Sequence, residues 1–402
     1  LRAAQRGVRV RVLVDDLMID APDEVMVALN AHPRIEVKIY NPKHSVGTTI
    51  MRRLFHIAVQ FKSVNQRMHD KTFTVDNLVS ITGGRNMADE YFDYDHNYNF
   101  RDRDVLIIGA AVEDVCRNFE TFWSSEHAVA LQTLLHEKSI SSEQQQAIYK
   151  NLHDYAENPD NFEPKVRQSL ADMPGKFSAL KRNLEWGDVH FLHDDPGKNN
   201  TRGLSGGGKT TEALIELLTE AKESVLIQSP YLVMPKGGIE FFRKLVHRGV
   251  DVTISTNSLA STDNLQAFSG YLKQRERILK AGINVYEYKP SPEIQQNLIE
   301  RFTELKSETP TFAIHAKSMV VDHRHLFVGT YNLDPRSANL NTEVGVLISN
   351  VRLAEKVEQS ILQDISAENS WNSSKENPDQ YAPLVKKLKV WFWKLLPLEP
   401  IL

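Results

Sequence analysis

The 402-residue chain has a single cysteine, Cys116, so no disulfide can form within it and its stability has to come from burial and hydrogen bonding. Cys116, in DVCRNFETFW, reads as a helix-packing residue and suits a reducing compartment. The chain has little net charge, formally −4, and lacks the basic excess of a nucleic-acid-binding protein. It also lacks any apolar run approaching the ~20 residues that cross a bilayer, so attachment through this sequence would be peripheral. The length and the balance of 41% hydrophobic and 25% charged residues fit two globular domains.

What the chain does have is a repeated polar pattern. His69-Asp70-Lys71 is followed by Asp76 and by GGRN at 83–86, and His315-Ala316-Lys317 by Asp322 and by GTYN at 329–332. Both copies keep the spacing H-x-K-x4-D-x6-G-x-x-N. A polar pattern that recurs once per half at matched distances marks a duplicated unit giving two sets of groups to one site.

Each copy begins in a strand-like run, MHDKTFTVD and IHAKSMVVD, where alternate side chains share a face. His69 and Lys71 then point the same way, as do His315 and Lys317. Phe73 and Val75 continue the first face, and Met319 and Val321 the second, as buried stripes ending in a polar pair. Two such pairs around one phosphate supply what phosphodiester exchange needs: a nucleophile, an acid for the leaving alkoxide, and positive charge for the non-bridging oxygens. The lysines and the Asn86 and Asn332 amides would hold those oxygens. The arrangement requires no metal or other cofactor. A carboxylate should orient each imidazole. The candidates are Glu343 in NTEVGVLI and Asp104 in RDRDVLII.

The paired motifs resemble those of the phospholipase D superfamily. HRGVDVTISTNS, SPYLVMP, GTYNLDPRSANLNTEVGVLI and FETFW look like bacterial cardiolipin synthases, most like the C-type class. The resemblance implies two phospholipase D-like repeats, each a mixed β-sheet flanked by helices, with the active site at their interface. It implies a phosphatidyl-histidine intermediate and transfer from a donor phospholipid, phosphatidylethanolamine, to phosphatidylglycerol. His69 takes the nucleophile's role and His315 that of general acid and base, although the two copies are symmetric in sequence. Asp76 and Asp322 are motif members with a structural or positioning role. Tyr231 and Arg336 are substrate-contact candidates. One departure is Gly84, where many relatives carry Ser; Thr330 supplies a hydroxyl at the matching position.

The duplication reaches beyond the motifs. QRGVRVRVLVDD at 5–16 parallels HRGVDVTISTNS at 247–258, and IEVKIYNP at 35–42 parallels INVYEYKP at 283–290. The second half reads as helix 210–222, strand 225–231, helix 237–248, strand 250–256, helix 263–280, strand 283–288, two motif strands, strand 343–349 and a helix from 351. Repeated alternation of this kind gives an α/β fold. The domains expected are 1–124, a helical connector 125–187, 188–370, and an interfacial tail 371–402. Counting back from His315, the second copy has a helix and the strand VLIQSPY before its RGV element, whereas the first opens almost at RGV. The expectation is a chain lacking the opening helix and strand of its first sheet, with any upstream signal or membrane segment outside the sequence.

Two segments need separate weighing. GLSGGGKT at 203–210 matches the phosphate-cradling loop of nucleotide hydrolases, but the turn-rich PGKNNTR separates it from the preceding strand candidate. The tail LVKKLKVWFWKLLPLEPIL mixes Lys386, Lys387, Lys389 and Lys394 with Trp391, Phe392 and Trp393, a composition suited to a bilayer interface. The expected partners are thus phospholipids and a membrane surface, the bacterial inner membrane, with no nucleic acid. A phosphodiesterase or nuclease with water as acceptor, and a non-enzymatic membrane- or nucleotide-binding protein, are the alternatives.

Overall fold

A computed structural model describes residues 1–16, 21–42, 66–92, 95, 97–135, 140–158, 168, 172–198, 206–295 and 310–396. Its largest unit is an eight-stranded sheet in the second half. The spatial order is Ser370–Asn372, Asn284–Tyr288, Asp251–Asn257, Ser224–Gln228, Lys317–Val321, His325–Gly329, Val344–Ser349 and Asp188–His193. The strands 224–228, 251–257 and 284–288 are parallel, and the other pairings antiparallel. This mixed sheet and the helices Lys209–Thr219, Gly238–His247, Leu265–Lys280 and Val351–Asp364 match the expected order of elements closely.

Strand alternation fixes the layers. Ile227, Met319, Val321 and Phe327 face a core with Leu214, Leu218, Phe242, Leu245 and Ile278 from three helices. The intervening Leu226, Val320, Leu326 and Val328 face the opposite way, onto Ala354 and Ile361 and onto Ile107, Val112 and Val115 of the first half. Burying both faces makes these strands continuously apolar. It also makes one sheet face an interface between the halves.

The first half has two smaller sheets. Val10–Asp15 and Ile35–Tyr40 pair in parallel, with Ala128–Ala130 antiparallel alongside. The motif strand Thr72–Val75 pairs with Val79–Gly83, which pairs with Asp104–Ile108. In the second half Ser224–Gln228 lies between the parallel strands and the motif hairpin; among the described residues no strand joins the two first-half sheets. This difference corrects one expectation. Met319 and Val321 are buried, but Phe73 and Val75 are 56% and 46% exposed, because Thr72–Val75 is an edge strand among the described residues.

The connector contains the helices Ser142–Glu157 and Met173–Arg182. The first carries a full capping box, Ser141 with Gln144. Near the other end, the helix Leu384–Lys394 packs on Leu265–Lys280. Its Val390 is buried, and the Lys386 ammonium donates to the carbonyls of Ala260 and Thr262 at 2.7 and 2.9 Å. Leu384, Val385, Leu388, Trp391, Phe392 and Leu395 point away from that contact and are between 55% and 70% exposed. At 3.6 residues per turn they cover roughly a third of the helix circumference, as one stripe.

Candidate active site

The site is assembled across the halves. The His69 backbone N–H donates to the Thr342 carbonyl at 3.1 Å, and the Thr342 N–H returns to the Arg67 carbonyl at 2.9 Å. The His315 N–H donates to the Arg101 carbonyl at 2.9 Å, next to the parallel pairing of Thr311–Ile314 with Tyr98–Arg101. Thr342 and Arg101 each precede a carboxylate, and both carboxylates reach the facing histidine. His69 Nδ1 is 2.8 Å from Glu343 Oε2, and His315 Nδ1 is 2.7 Å from Asp102 Oδ2. A carboxylate acceptor fixes the proton on Nδ1 and leaves Nε2 as the reactive nitrogen.

The second carboxylate is therefore Asp102, and the expectation for Asp104 is corrected. Asp104 pairs with Arg85 at 2.7 Å. The strand registers show the equivalence: Gly329 lies opposite Gly345, two residues past Glu343, and Gly83 lies opposite Asp104, two residues past Asp102. A displacement of two residues stays on the same strand face, so alternation alone could not separate the two aspartates. The apolar run that follows does so, since VLI starts at Val105 and Val346.

Gly84 has a local reason. A Cβ there would come within 2.0 Å of Asp102 Oδ1, so the absent side chain makes room for the carboxylate. At the matching position the Thr330 hydroxyl instead donates to Glu343 Oε2.

Lys71 donates to the His69 carbonyl at 2.9 Å and Lys317 to the His315 carbonyl at 2.6 Å, with Lys317 Nζ 3.0 Å from His315 Nε2. Burial pulls Lys71 down to about 8 and Lys317 to about 7, against the pull of the neighbouring carboxylates. Burial also lowers both imidazoles, and both lysine charges act on each of them. The four groups therefore lie within electrostatic reach of one another. For Asp102 burial works upward, but the His315 and Lys317 charges outweigh it and hold the carboxyl below its ordinary value. Glu343 is held down in the same way, chiefly by His69.

Of the other predicted residues Asn86 reaches toward this centre, whereas Asp76 and Asp322 sit in turns at the far ends of their motif strands. Asn86 Nδ2 donates to the Tyr91 hydroxyl at 2.7 Å, and that hydroxyl is 3.5 Å from His315 Nε2. Asn332 is buried, and among the described residues its Oδ1 has no hydrogen-bond partner. Asp322 sits in a turn with positive φ and accepts from the backbone N–H groups of Lys222, Glu223 and Ser224, which ties the motif turn to the adjacent strand. Asp76 occupies the matching turn at φ 53°. Tyr231 donates to Asp263 at 3.0 Å. Arg336 lies in the short helix Pro335–Asn339, where the charges of Asp334, Arg67, Asp15 and Glu343 act on it.

Tyr91 is a site residue that the sequence reading passed over. Its ring packs edge-on against His315 with centroids 4.9 Å apart and stacks on Phe100 at 4.8 Å. Its position after GGRN was the available signal.

GLSGGGKT turns out to be scaffold over the part described, from Gly206 onward. The N–H groups of Gly206 and Gly207 donate to Asn339 Oδ1, and Thr210 N–H donates to Asp194 Oδ1. The Lys209 ammonium pairs with Asp195 at 2.7 Å. Gly208 admits the buried Asp194–Lys198 pair, since a Cβ would meet Lys198 Cε at 2.4 Å. Asp194 in turn accepts from the Glu343 N–H at 3.0 Å, and the Thr210 hydroxyl donates to the Glu343 carbonyl at 3.1 Å. Donors that could cradle a phosphate are thus already paired, and those of Thr210 bind Asp194 and the Glu343 backbone next to the carboxylate that orients His69.

The family model described as "Cardiolipin synthase, PLD-like domain" matches residues 1–123 and 214–365. The chain belongs to this family. Cardiolipin synthase C of Escherichia coli K12 is 32% identical over 90% of this chain and 71% of its own length. An uncharacterised protein of Helicobacter pylori 26695 is 32% identical over 92% of this chain and 71% of its own length. The crystal structure of phosphatidylserine synthase from Haemophilus influenzae shares the fold at TM-score 0.56 and 17% identity, covering 99% of this chain and 91% of that one.

Proposed function

We propose that this chain catalyses phosphatidyl transfer to phosphatidylglycerol, forming cardiolipin, with phosphatidylethanolamine as donor. The observation that carries the reading is the exchange of carboxylates between halves, which binds both Nδ1 atoms and directs each Nε2 away from its carboxylate, with Lys71 half-buried and Lys317 buried beside them. In the first step His69 Nε2 attacks phosphorus, the bond to the head-group oxygen breaks, and His315 delivers a proton to that oxygen. Lys71, Lys317 and the Asn86 and Asn332 amides face the non-bridging oxygens. Burial first and the Lys317 charge second hold His315 low, and a bound phosphodiester anion offsets the second of these, which favours the acid form when substrate is present. In the second step His315 takes the proton from the free hydroxyl of phosphatidylglycerol, which displaces His69. Family membership and the 32% identity to a cardiolipin synthase support lipid as the acceptor, rather than water.

The C-terminal helix supports catalysis at a bilayer surface, peripherally on the bacterial inner membrane. No helix among the described residues is long and apolar enough to cross a membrane. The exposed stripe of Leu384–Lys394 lies between Lys387 and Lys394 on one side and Lys389 on the other, a pattern that places apolar side chains at the acyl boundary and ammonium groups among anionic head groups.

The test is product analysis by mass spectrometry, with the protein on mixed micelles of labelled phosphatidylglycerol, with and without phosphatidylethanolamine. Cardiolipin that depends on phosphatidylethanolamine, with ethanolamine released, is the expected result. Phosphatidic acid as sole product would mean a hydrolase.

A further inference from the structure

The wall beside His315 carries groups that phosphorus chemistry does not use. Phe100 packs against the His315 ring at 4.9 Å, and Tyr98 packs edge-on against Phe100 at 5.2 Å. The Tyr98 hydroxyl donates to the Ser261 carbonyl. Two residues further lies Asp263, whose carboxylate takes the Tyr231 hydroxyl at 3.0 Å. Asp263 keeps contact with solvent, yet its surroundings are crowded enough that desolvation raises its pKa, opposed by the Tyr231 hydrogen bond. Tyr98, held to Ser261, and Tyr231, held to Asp263, thus put two tyrosines and one accessible carboxylate on the wall whose Phe100 and Tyr91 rings pack against the acid histidine.

We infer that Asp263, with the rings of Tyr91, Tyr98 and Tyr231, forms a subsite for a primary ammonium group, the positive end of the departing head group. An ammonium gains from a carboxylate and from aromatic faces together, and most where water is partly excluded. The location suits a leaving group, because the histidine assigned to protonate the departing oxygen is the one this wall surrounds. Lys386 pins the Ala260–Thr262 segment just before Asp263, so the subsite is tied to the C-terminal helix. The inference rests on the phosphatidyl-transfer reading for its role in turnover, and on geometry alone for ammonium binding.

The two are tested separately. Binding of O-phosphorylethanolamine and of glycerol 3-phosphate to the full chain is measured by calorimetry for the wild type, Asp263→Asn and Tyr98→Leu. The expected result is tighter binding of the ammonium probe by the wild type, with Asp263→Asn weakening it about tenfold or more and changing glycerol 3-phosphate by less than about threefold. Tyr98→Leu, which leaves the charge in place, should weaken the ammonium probe selectively to a smaller degree. Equal affinity of the wild type for both probes, or equal losses for both in Asp263→Asn, would overturn the subsite. Kinetics then ask for a raised KM with phosphatidylethanolamine in Asp263→Asn. Absence of cardiolipin from any donor in the wild type would overturn the transfer reading while leaving the binding result standing.

Discussion

His69 and Glu343 are 274 residues apart in sequence and 2.8 Å apart in space, and the same relation in mirror form joins His315 to Asp102. Each half keeps its own histidine and lysine but takes the orienting carboxylate from the other. Neither half alone holds a complete imidazole–carboxylate pair, so the interface is a condition of the chemistry as well as of packing.

Exchange of the carboxylates sets a mutational contrast. Asp102→Asn and Glu343→Gln should each lower the transfer rate by roughly 10²–10⁴-fold, because the amide no longer fixes the tautomer or balances the imidazolium. Asp104→Asn removes a half-exposed ion pair with Arg85 and should cost less than about threefold. Initial rates of lipid transfer for the three variants check this; equal losses at 102 and 104 would contradict the register assignment.

The pH profile follows from the lysines. A transition state rich in anionic oxygen needs both ammonium groups charged, and they sit at about 8 for Lys71 and about 7 for Lys317. Their charge is lost as pH rises through those values, so kcat/KM should fall on the alkaline side from about pH 7 upward. The acid limb requires protonation of the nucleophile, and burial places His69 below its ordinary 6.5, so activity should persist below that value. A flat alkaline side between about pH 7 and 9 would count against lysine participation.

Asp194→Asn should destabilise the fold by about 3–5 kcal/mol in denaturant unfolding, since it leaves the Lys198 ammonium buried without its partner. Because Asp194 also accepts the Glu343 N–H, the variant should lose transfer activity at temperatures where it remains folded. Replacing both Asp194 and Lys198 with apolar residues should recover stability more than activity.

Changing Leu388, Trp391 and Phe392 together to Ser should leave the helix–helix contact through Val390 in place and reduce binding to phosphatidylglycerol-containing vesicles by about tenfold or more in co-sedimentation. Unchanged binding would exclude the stripe as the membrane contact.

Much of this was readable in the sequence. The i, i+2 spacing marked His and Lys of each motif as one group, but the motif strands begin only at Thr72 and Lys317, so both histidines and Lys71 precede them; the alternation of the second half matched its strands and helices within a few residues. Glu343 was legible because it stands alone on its strand approach, whereas Asp102 and Asp104 share a face and only the register separates them. Phe73 and Val75 read as core because their pattern repeats that of Met319 and Val321; whether a stripe is covered depends on a neighbouring strand, which periodicity does not report. Tyr91 and Asp194 act through contacts across more than a hundred residues, and the phosphate-loop pattern of GLSGGGKT does not reveal that its N–H groups already have acceptors.

The assignment of His69 as nucleophile is the central claim, and trapping the intermediate tests it most directly. The full chain is mixed with phosphatidylethanolamine in the absence of phosphatidylglycerol, quenched rapidly in alkali, digested and mapped by mass spectrometry. A phosphatidyl adduct on the peptide carrying His69, retained in His315→Ala at a slower rate and absent in His69→Ala, is the expected result. An adduct confined to His315 would contradict it.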